Sequence, residues 1–249
     1  MKIIWLGTGS AFTLKNYHSN FIIEHNGKKL LIDAGTDIRH SLNEQDLDYT
    51  DIDAIYISHL HADHAGGLEY LAFCSHFDPS VTEKITLLGN DELLKNGWKN
   101  VWSGGLGVDL SLDYYFNVIR VPFFGTFNWE GISFKLIENK HTPKPNEMNT
   151  FGLLITSDTG KIVYYTGDSV FNPNDVAYQA ADLIIQDCET YDFKSGVHAN
   201  YQDLKTLPEE IKKKMMLIHY ADNDDFFLKT NEELRGFIGF AKKGRNLDV

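Results

Sequence analysis

Apolar residues along this chain come in short runs bounded by polar or turn-forming residues. The runs are KIIWLG (2–7), NFIIEHNGKKLLIDAG (20–35), AIYISH (54–59), KITLLG (84–89), ISFKLIEN (132–139), FGLLITSDTGKIVYYTGD (151–168), DLIIQD (182–187) and MMLIHY (215–220). Such lengths, rich in Ile, Leu, Val and Tyr, predict strands. His25-Asn26-Gly27-Lys28 and Ser157-Asp158-Thr159-Gly160 each separate two apolar runs and carry Asn or Gly where positive φ is needed, so both predict hairpins. Each second run ends on an acidic residue and glycine, as Asp33-Ala34-Gly35 and as Thr166-Gly167-Asp168. This weak repetition predicts two similar halves, each a sheet with covering helices, whose loops meet at one edge. Helices are expected over 36–47, 65–75, 172–181, 200–206 and 230–242. The last would be capped by Asn231, with Leu234, Phe237, Ile238 and Ala241 on one face.

One polar segment departs from this pattern. HLHADH (59–64) places His59, His61, Asp63 and His64 directly after the apolar run 54–57. Neutral imidazole is a leading ligand for zinc and related ions, and carboxylate adds neutralising charge. With the strand ending near Ser58, His59 and His61 alternate onto one side of the extended chain. Asp63 and His64 then open a helix whose apolar positions Leu68, Leu71 and Ala72 follow Gly66 and Gly67. A two-metal site takes about three protein ligands per ion plus a bridging group, so other loops must contribute. His141 after FKLIENK, Asp168 in YYTGDS and His219 in MMLIHY each stand just past an apolar run, as a site built at one sheet edge requires.

Composition narrows the setting. The 249 residues are 43% apolar, enough for a sizeable core, and no linker or compositional break divides them, so one domain over 1–249 is expected. The N-terminal apolar run is too short for a signal-peptide core and no run of about 18 apolar residues exists, which predicts a cytoplasmic protein without a membrane span. The two cysteines, Cys74 and Cys188, lie in apolar surroundings and are expected reduced. A net charge of −12 argues against a broad nucleic-acid surface, and the basic run Lys212 to Lys214 reads as the solvated face of a short helix.

HLHADH, His141, Asp168 and His219 stand in the order and setting of the metal hydrolases of the metallo-β-lactamase fold, and Asp33 in LLIDAG matches that family's first acidic motif. The resemblance spans the chain. It implies an α/β fold, an αββα sandwich of two mixed sheets flanked by helices, with a dinuclear site at one edge. Position by position, it implies that His59, His61 and His141 hold one divalent ion, that Asp63, His64 and His219 hold the other, and that Asp168 bridges them. Zinc is the expected metal, and such ligands also accept manganese and iron. Asp33 is then the carboxylate that orients the hexapeptide.

GTGSAF, NYHSNFII and TGDS further resemble the branch containing the tRNA 3′-processing phosphodiesterases. There a histidine before the last ligand contacts the substrate phosphate, and His198 in GVHANYQDL holds the corresponding place; with Asp63 it is the candidate catalytic group. Gln186, Asp187 and Glu189 stand near that branch's acidic motif, but with different wording. The tRNA enzymes carry a long basic arm between the third-motif histidine and the bridging aspartate. Here 168 − 141 = 27 residues separate those positions, already filled by strands and a hairpin. With the acidic charge, this favours a small phosphodiester over precursor tRNA.

The pattern GTGSAFTLKNYHSNFII, then QDCE, then VHANYQDLKTLPEEIKKKMMLIHY resembles the anti-Pycsar proteins of phages, which hydrolyse cyclic mononucleotides such as cCMP and cUMP and so silence a host defence signal. That resemblance implies a cyclic-nucleotide phosphodiesterase acting as a homodimer. The alternatives are tRNA 3′ processing, and ester, lactone or thioester hydrolysis on the same metals. A scaffold with a relic site requires lost ligands, and all the expected positions are filled. The aromatic-rich stretch within 97–116 is a candidate lid or dimer surface, or else local core packing around Trp98 and Trp102.

Overall fold

The computed structural model describes residues 1–144, 147–222 and 236–249, which form two seven-stranded sheets. The strands are β1 (Lys2–Gly7), β2 (Asn20–His25), β3 (Lys28–Ile32), β4 (Ala54–Ile57), β5 (Thr86–Asn90), β6 (Asn117–Val121), β7 (Thr126–Trp129), β8 (Ile132–Thr142), β9 (Met148–Thr156), β10 (Ile162–Tyr165), β11 (Leu183–Asp187), β12 (Met215–Ile218), β13 (Gly239–Phe240) and β14 (Asn246–Asp248). The first sheet runs β14-β1-β2-β3-β4-β5-β6 and the second β7-β8-β9-β10-β11-β12-β13. In that order, each sheet shows three antiparallel pairings and then three parallel ones. The two similar halves expected from the hairpins are present, and β14 returns from the second half to complete the first sheet. Asn26 and Gly27 turn β2 into β3 at φ 51° and 75°, the positive values a two-residue hairpin loop needs.

Side-chain alternation explains the layers. On β10 and β11, Val163, Tyr165, Leu183 and Ile185 join the main core, which also holds Trp5, Phe21 and Tyr56 of the first sheet. The intervening Tyr164 and Ile184 face a second cluster with Tyr178, Tyr201, Leu204 and Ile211. The main core is therefore the space between the sheets, and the second lies under outer helices.

The helices are α1 (Ile38–Asn43), α2 (Ala62–Ala65), α3 (Leu68–Phe77), α4 (Asp91–Gly97), α5 (Ser103–Leu106), α6 (Leu112–Tyr115), α7 (Ala177–Ala180), α8 (Tyr201–Leu204) and α9 (Glu209–Lys212). The helix expected over 65–75 divides into α2 and α3, because the loop after β3 crosses at Gly66 and Gly67. Gly67 N–H donates to Ala34 O at 2.8 Å, and a Cβ on Gly67 would lie 2.2 Å from Gly35 O. The helices expected over 36–47, 172–181 and 200–206 shorten to α1, α7 and α8. Over 236–242 the expected C-terminal helix is absent. Gly236 and Gly239, at φ 111° and 144°, do not take helical backbone, and the chain forms β13 beside β12. Asn231 and Leu234 lie outside the described residues.

Trp102 is buried, and its indole N–H donates to Ala65 O at 3.0 Å, while Leu106, Leu112, Tyr115 and Phe116 belong to the main core. Core packing thus accounts for Trp102 and for the half-buried Trp98, and it braces the end of α2. Of the basic run, Lys213 is exposed and paired with Glu209 on α9, while Lys212 and Lys214 are half-buried and donate to Lys205 O at 3.1 Å and Ala181 O at 2.7 Å, so only Lys213 keeps to the solvated-face reading. Both cysteines are free. Among the described residues, no helix is long and apolar enough to cross a membrane.

Candidate metal centre

The parallel strands converge on one edge, and their C-terminal ends supply most of the site. Asp33 follows β3, the hexapeptide follows β4, Asp168 follows β10, Asp187 ends β11 and His219 follows β12. Such strand ends are where open α/β sheets bind ligands. His141 comes instead from the end of β8, where the register with β9 shifts between Lys140 and Thr142. A bulge of this kind re-aims a side chain.

Asp33 organises the hexapeptide from beneath. It is fully buried and adopts φ 62°, a conformation that Asp tolerates better than most residues. Its Oδ1 accepts the Ser58 N–H at 2.7 Å, and its Oδ2 accepts from Ser58 Oγ at 2.8 Å, Tyr165 Oη at 2.8 Å and His64 Nδ1 at 2.9 Å. The last bond fixes the His64 ring so that Nε2 is left for the cluster. Gly35 is required here too, since a Cβ would meet Asp63 O at 2.4 Å.

All seven ligand positions expected from the sequence come together. His59 Nε2 lies 3.1 Å from His61 Nδ1, which lies 3.0 Å from His141 Nε2. His64 Nε2 lies 3.2 Å from both Asp63 Oδ2 and Asp168 Oδ1, and His219 Nε2 lies 3.2 Å from Asp63 Oδ2 and 3.3 Å from Asp168 Oδ2. Asp168 Oδ2 is also 3.8 Å from both His59 and His141, so one carboxylate adjoins both sets.

The donor set fits divalent cations. His61 Nδ1 stands within 3.1 Å of two imidazole nitrogens and can complete a hydrogen bond with only one of them, whereas ligands about 2.0–2.1 Å from a tetrahedral zinc stand about 3.3 Å apart. His64 Nε2 is buried with no well-directed hydrogen bond, although two carboxylates adjoin it. His141 Nδ1 donates to Val197 O at 2.8 Å, which frees its Nε2 as a lone pair.

Electrostatics divides the two sets. Burial pushes His59, His61 and His141 below the usual imidazole range, so they are neutral at pH 7. Burial also opposes charge on Asp63 and Asp168, but the neighbouring histidines outweigh it and hold both carboxyls well below their usual range. The same pairing overcomes burial at His64, which is raised well above its usual value, and at His219, raised to about 10 through Asp168, Asp187 and Asp63. In the protein alone, protons occupy the second set, and a cation must displace them. Zinc loading at pH 7 is therefore expected to release protons, and affinity should rise with pH up to about 10. Titration calorimetry in buffers of different ionisation enthalpy checks this; heats independent of buffer would contradict it.

Asp187, which the sequence left without a role, joins the site. Its Oδ2 lies 2.9 Å from His198 Nδ1 and accepts the Ser169 N–H at 2.9 Å, while its Oδ1 is 3.3 Å from His219 Nδ1. Gln186 faces away, accepting from Tyr178 Oη at 2.6 Å. Glu189 folds the following loop, accepting from Ser195 N–H and from the Asn200 amide, each at 3.1 Å. Ser58, Tyr165 and the Val197 carbonyl were not singled out by the sequence; only their adjacency to motif residues pointed to them. His18 of NYHSNFII is not in the cluster but beside Asp37, 3.4 Å away. Five of the seven ligand positions, His61, Asp63, His141, Asp168 and His219, border a cleft of about 310 Å³ that Phe12, Val197 and His198 also line.

A sandwich of two mixed sheets with this His/Asp cluster at its edge is the metallo-β-lactamase fold carrying a candidate site for divalent metal. The fold is shared with the metallo-β-lactamase fold protein YhfI of Bacillus subtilis, at a TM-score of 0.76 and 20% identity, over 100% of this chain and 98% of that one. Within this class the chain belongs to the anti-Pycsar protein Apyc1 family, whose model matches residues 1–247. It is 34% identical to anti-Pycsar protein Apyc1 of Bacillus phage BSP38, over 98% of this chain and 96% of the phage protein. It is 35% identical to anti-Pycsar protein Apyc1 of Paenibacillus harenae, over 90% of this chain and 92% of that protein.

Proposed function

We propose that this chain is a phosphodiesterase that opens 3′,5′-cyclic nucleotide monophosphates, cCMP and cUMP among them, to nucleoside monophosphates, and thereby antagonises cyclic-nucleotide antiphage defence. The observation that carries this reading is the His198–Asp187 pair beside the metal cluster, in a cleft of about 310 Å³. That volume is on the scale of small-molecule sites, which run from about 300 Å³ upwards. The acidic net charge of −12 and the filling of the 141–168 interval by β8, β9 and β10 support a small substrate over tRNA. Membership of the anti-Pycsar family supports the nucleotide.

In this reading His59, His61 and His141 hold one ion, Asp63, His64 and His219 a second, and Asp168 both, with zinc the first metal to test. Two divalent ions there would supply Lewis acidity to the phosphoryl group and to water. The chain's own groups manage the protons. His198 Nδ1 is engaged by Asp187, so Nε2 is left for substrate. Burial lowers the pKa of His198, but the charge and hydrogen bond of Asp187 outweigh it and raise it, which keeps a proton available near neutral pH. As water attacks phosphorus and the ring P–O bond breaks, His198 gives that proton to the departing ribose oxygen. Asp63, kept ionised by its histidine neighbours, accepts a hydrogen bond from the attacking water and orients it, and the water's proton passes to solvent.

The test is incubation of metal-loaded protein with 3′,5′- and 2′,3′-cyclic mononucleotides, cyclic dinucleotides and a precursor tRNA, followed by chromatography. Conversion of the 3′,5′-cyclic mononucleotides to linear monophosphates is expected. Cleavage of the tRNA alone would overturn the reading.

A further inference from the structure

A second pocket opens beside the metal cleft, and nothing in the phosphodiester chemistry uses it. It holds about 160 Å³ and shares Phe12, Val197, His198 and His219 with the cleft. Its distinctive lining is Phe12 together with Tyr191 and Phe193, whose rings stack at 5.2 Å with an interplanar angle of 11°. Phe12 is 83% exposed and Phe193 63%, so large apolar surfaces face water at the mouth of the site. Exposed apolar surface concentrated at one place marks a binding surface more often than chance placement.

Both loops that carry these rings are held in place. The Phe12 loop is tied by Asp222, which accepts from Thr13 Oγ1 at 2.7 Å, from the Leu14 and Lys15 N–H groups at 2.5 and 2.9 Å, and from the Asn16 amide at 2.6 Å. The opposing loop is tied by Asn200, whose amide donates to Tyr191 O and Phe193 O at 3.2 Å each, and by Glu189. The backbone of neither loop has to be ordered at the moment of binding, which lowers the cost of using it. Ser10 also lines the pocket, and its hydroxyl is buried without a hydrogen-bond partner.

We propose that this pocket seats the nucleobase of the substrate by stacking on Phe12 and the Tyr191–Phe193 pair, while the phosphate lies in the metal cleft. The inference rests on the cyclic-nucleotide reading above. The two cavities meet at His198, so a ligand whose phosphodiester is attacked beside His198 carries its next rigid group into the side pocket. A planar, π-faced ring matches aromatic walls, whereas a second phosphate or a carboxylate does not. Glu189 and Asn200 are positioning residues that present the stacked pair.

The experiment compares kcat/KM for cCMP with that for the same 3′,5′-cyclic phosphate of 1-O-methylribose, which lacks a base. Wild-type enzyme is expected to favour cCMP, and the Phe12→Ala and Phe193→Ala variants together are expected to cut that preference by about 5- to 150-fold, the range for loss of base–aromatic stacking. The preference is a ratio, so a variant that merely folds less well leaves it unchanged. Equal wild-type rates on the two substrates, or a preference that survives in the double variant, would overturn the pocket assignment and leave the phosphodiesterase reading intact. Failure of wild type on both substrates, with bis(p-nitrophenyl) phosphate still cleaved, would overturn both.

Discussion

Asp168→Ala is expected to lose metal and turnover together. The side chain is almost wholly buried, and its two oxygens reach His64 and His219 at 3.2 and 3.3 Å and the other set at 3.8 Å. Among the described residues, no other carboxylate lies within 4 Å of both histidine sets, so none of them can take over the shared position. Polarising a phosphoryl group at a metal contributes several kcal/mol, and losing it corresponds to a fall in kcat/KM of about 10³-fold or more. Elemental analysis alongside initial rates on a cyclic nucleotide decides the matter. Two ions per chain with an undiminished rate would remove Asp168 from its bridging role.

His198→Ala should behave differently. The side chain lies beside the cluster, anchored by Asp187 rather than by the hexapeptide, so metal content is expected to hold while kcat falls by about 10²- to 10⁴-fold, the usual range for losing a general acid. The pH profile supplies a second readout. A proton donor works only below its pKa, so the rate should decline as pH rises through the raised value that Asp187 imposes on His198. Asp187→Asn should move that limb to lower pH. A wild-type kcat in His198→Ala with metals in place would end the catalytic assignment.

Much of this site is visible in the chain before it folds, and the reason is local. His59, His61, Asp63 and His64 are crowded into six residues, and His141, Asp168 and His219 each sit where an apolar run stops. Asp187 was visible as a residue but not as a partner, because its meeting with His198 and His219 depends on β11 and β12 lying side by side. Tyr165 shows the same limit: its hydroxyl reaches Asp33 across 132 positions of chain, a distance that periodicity does not encode. Among strands, β4 and β11 are plain because every residue is buried, while β6, with Asn117, Ile119 and Arg120 exposed, lacks that run. The helices were overextended for a related reason. Apolar spacing survives through Gly66 and Gly67, but a crossing loop and its hydrogen bond to Ala34 break the helix there.

β14 decides the order in which the molecule can be assembled. The edge of β1 stays open until residues 246–248 pair with it, and by then every strand of the second sheet has been made. During synthesis that edge is an unpaired template for other chains, and closing it means joining segments more than two hundred residues apart, a slow step in any folding pathway. The two halves look like a duplication, yet neither can be cut free as a working unit. One half owns the hexapeptide, the other owns His141, Asp168 and His219, and the strand that finishes the first is spelled out only after the second.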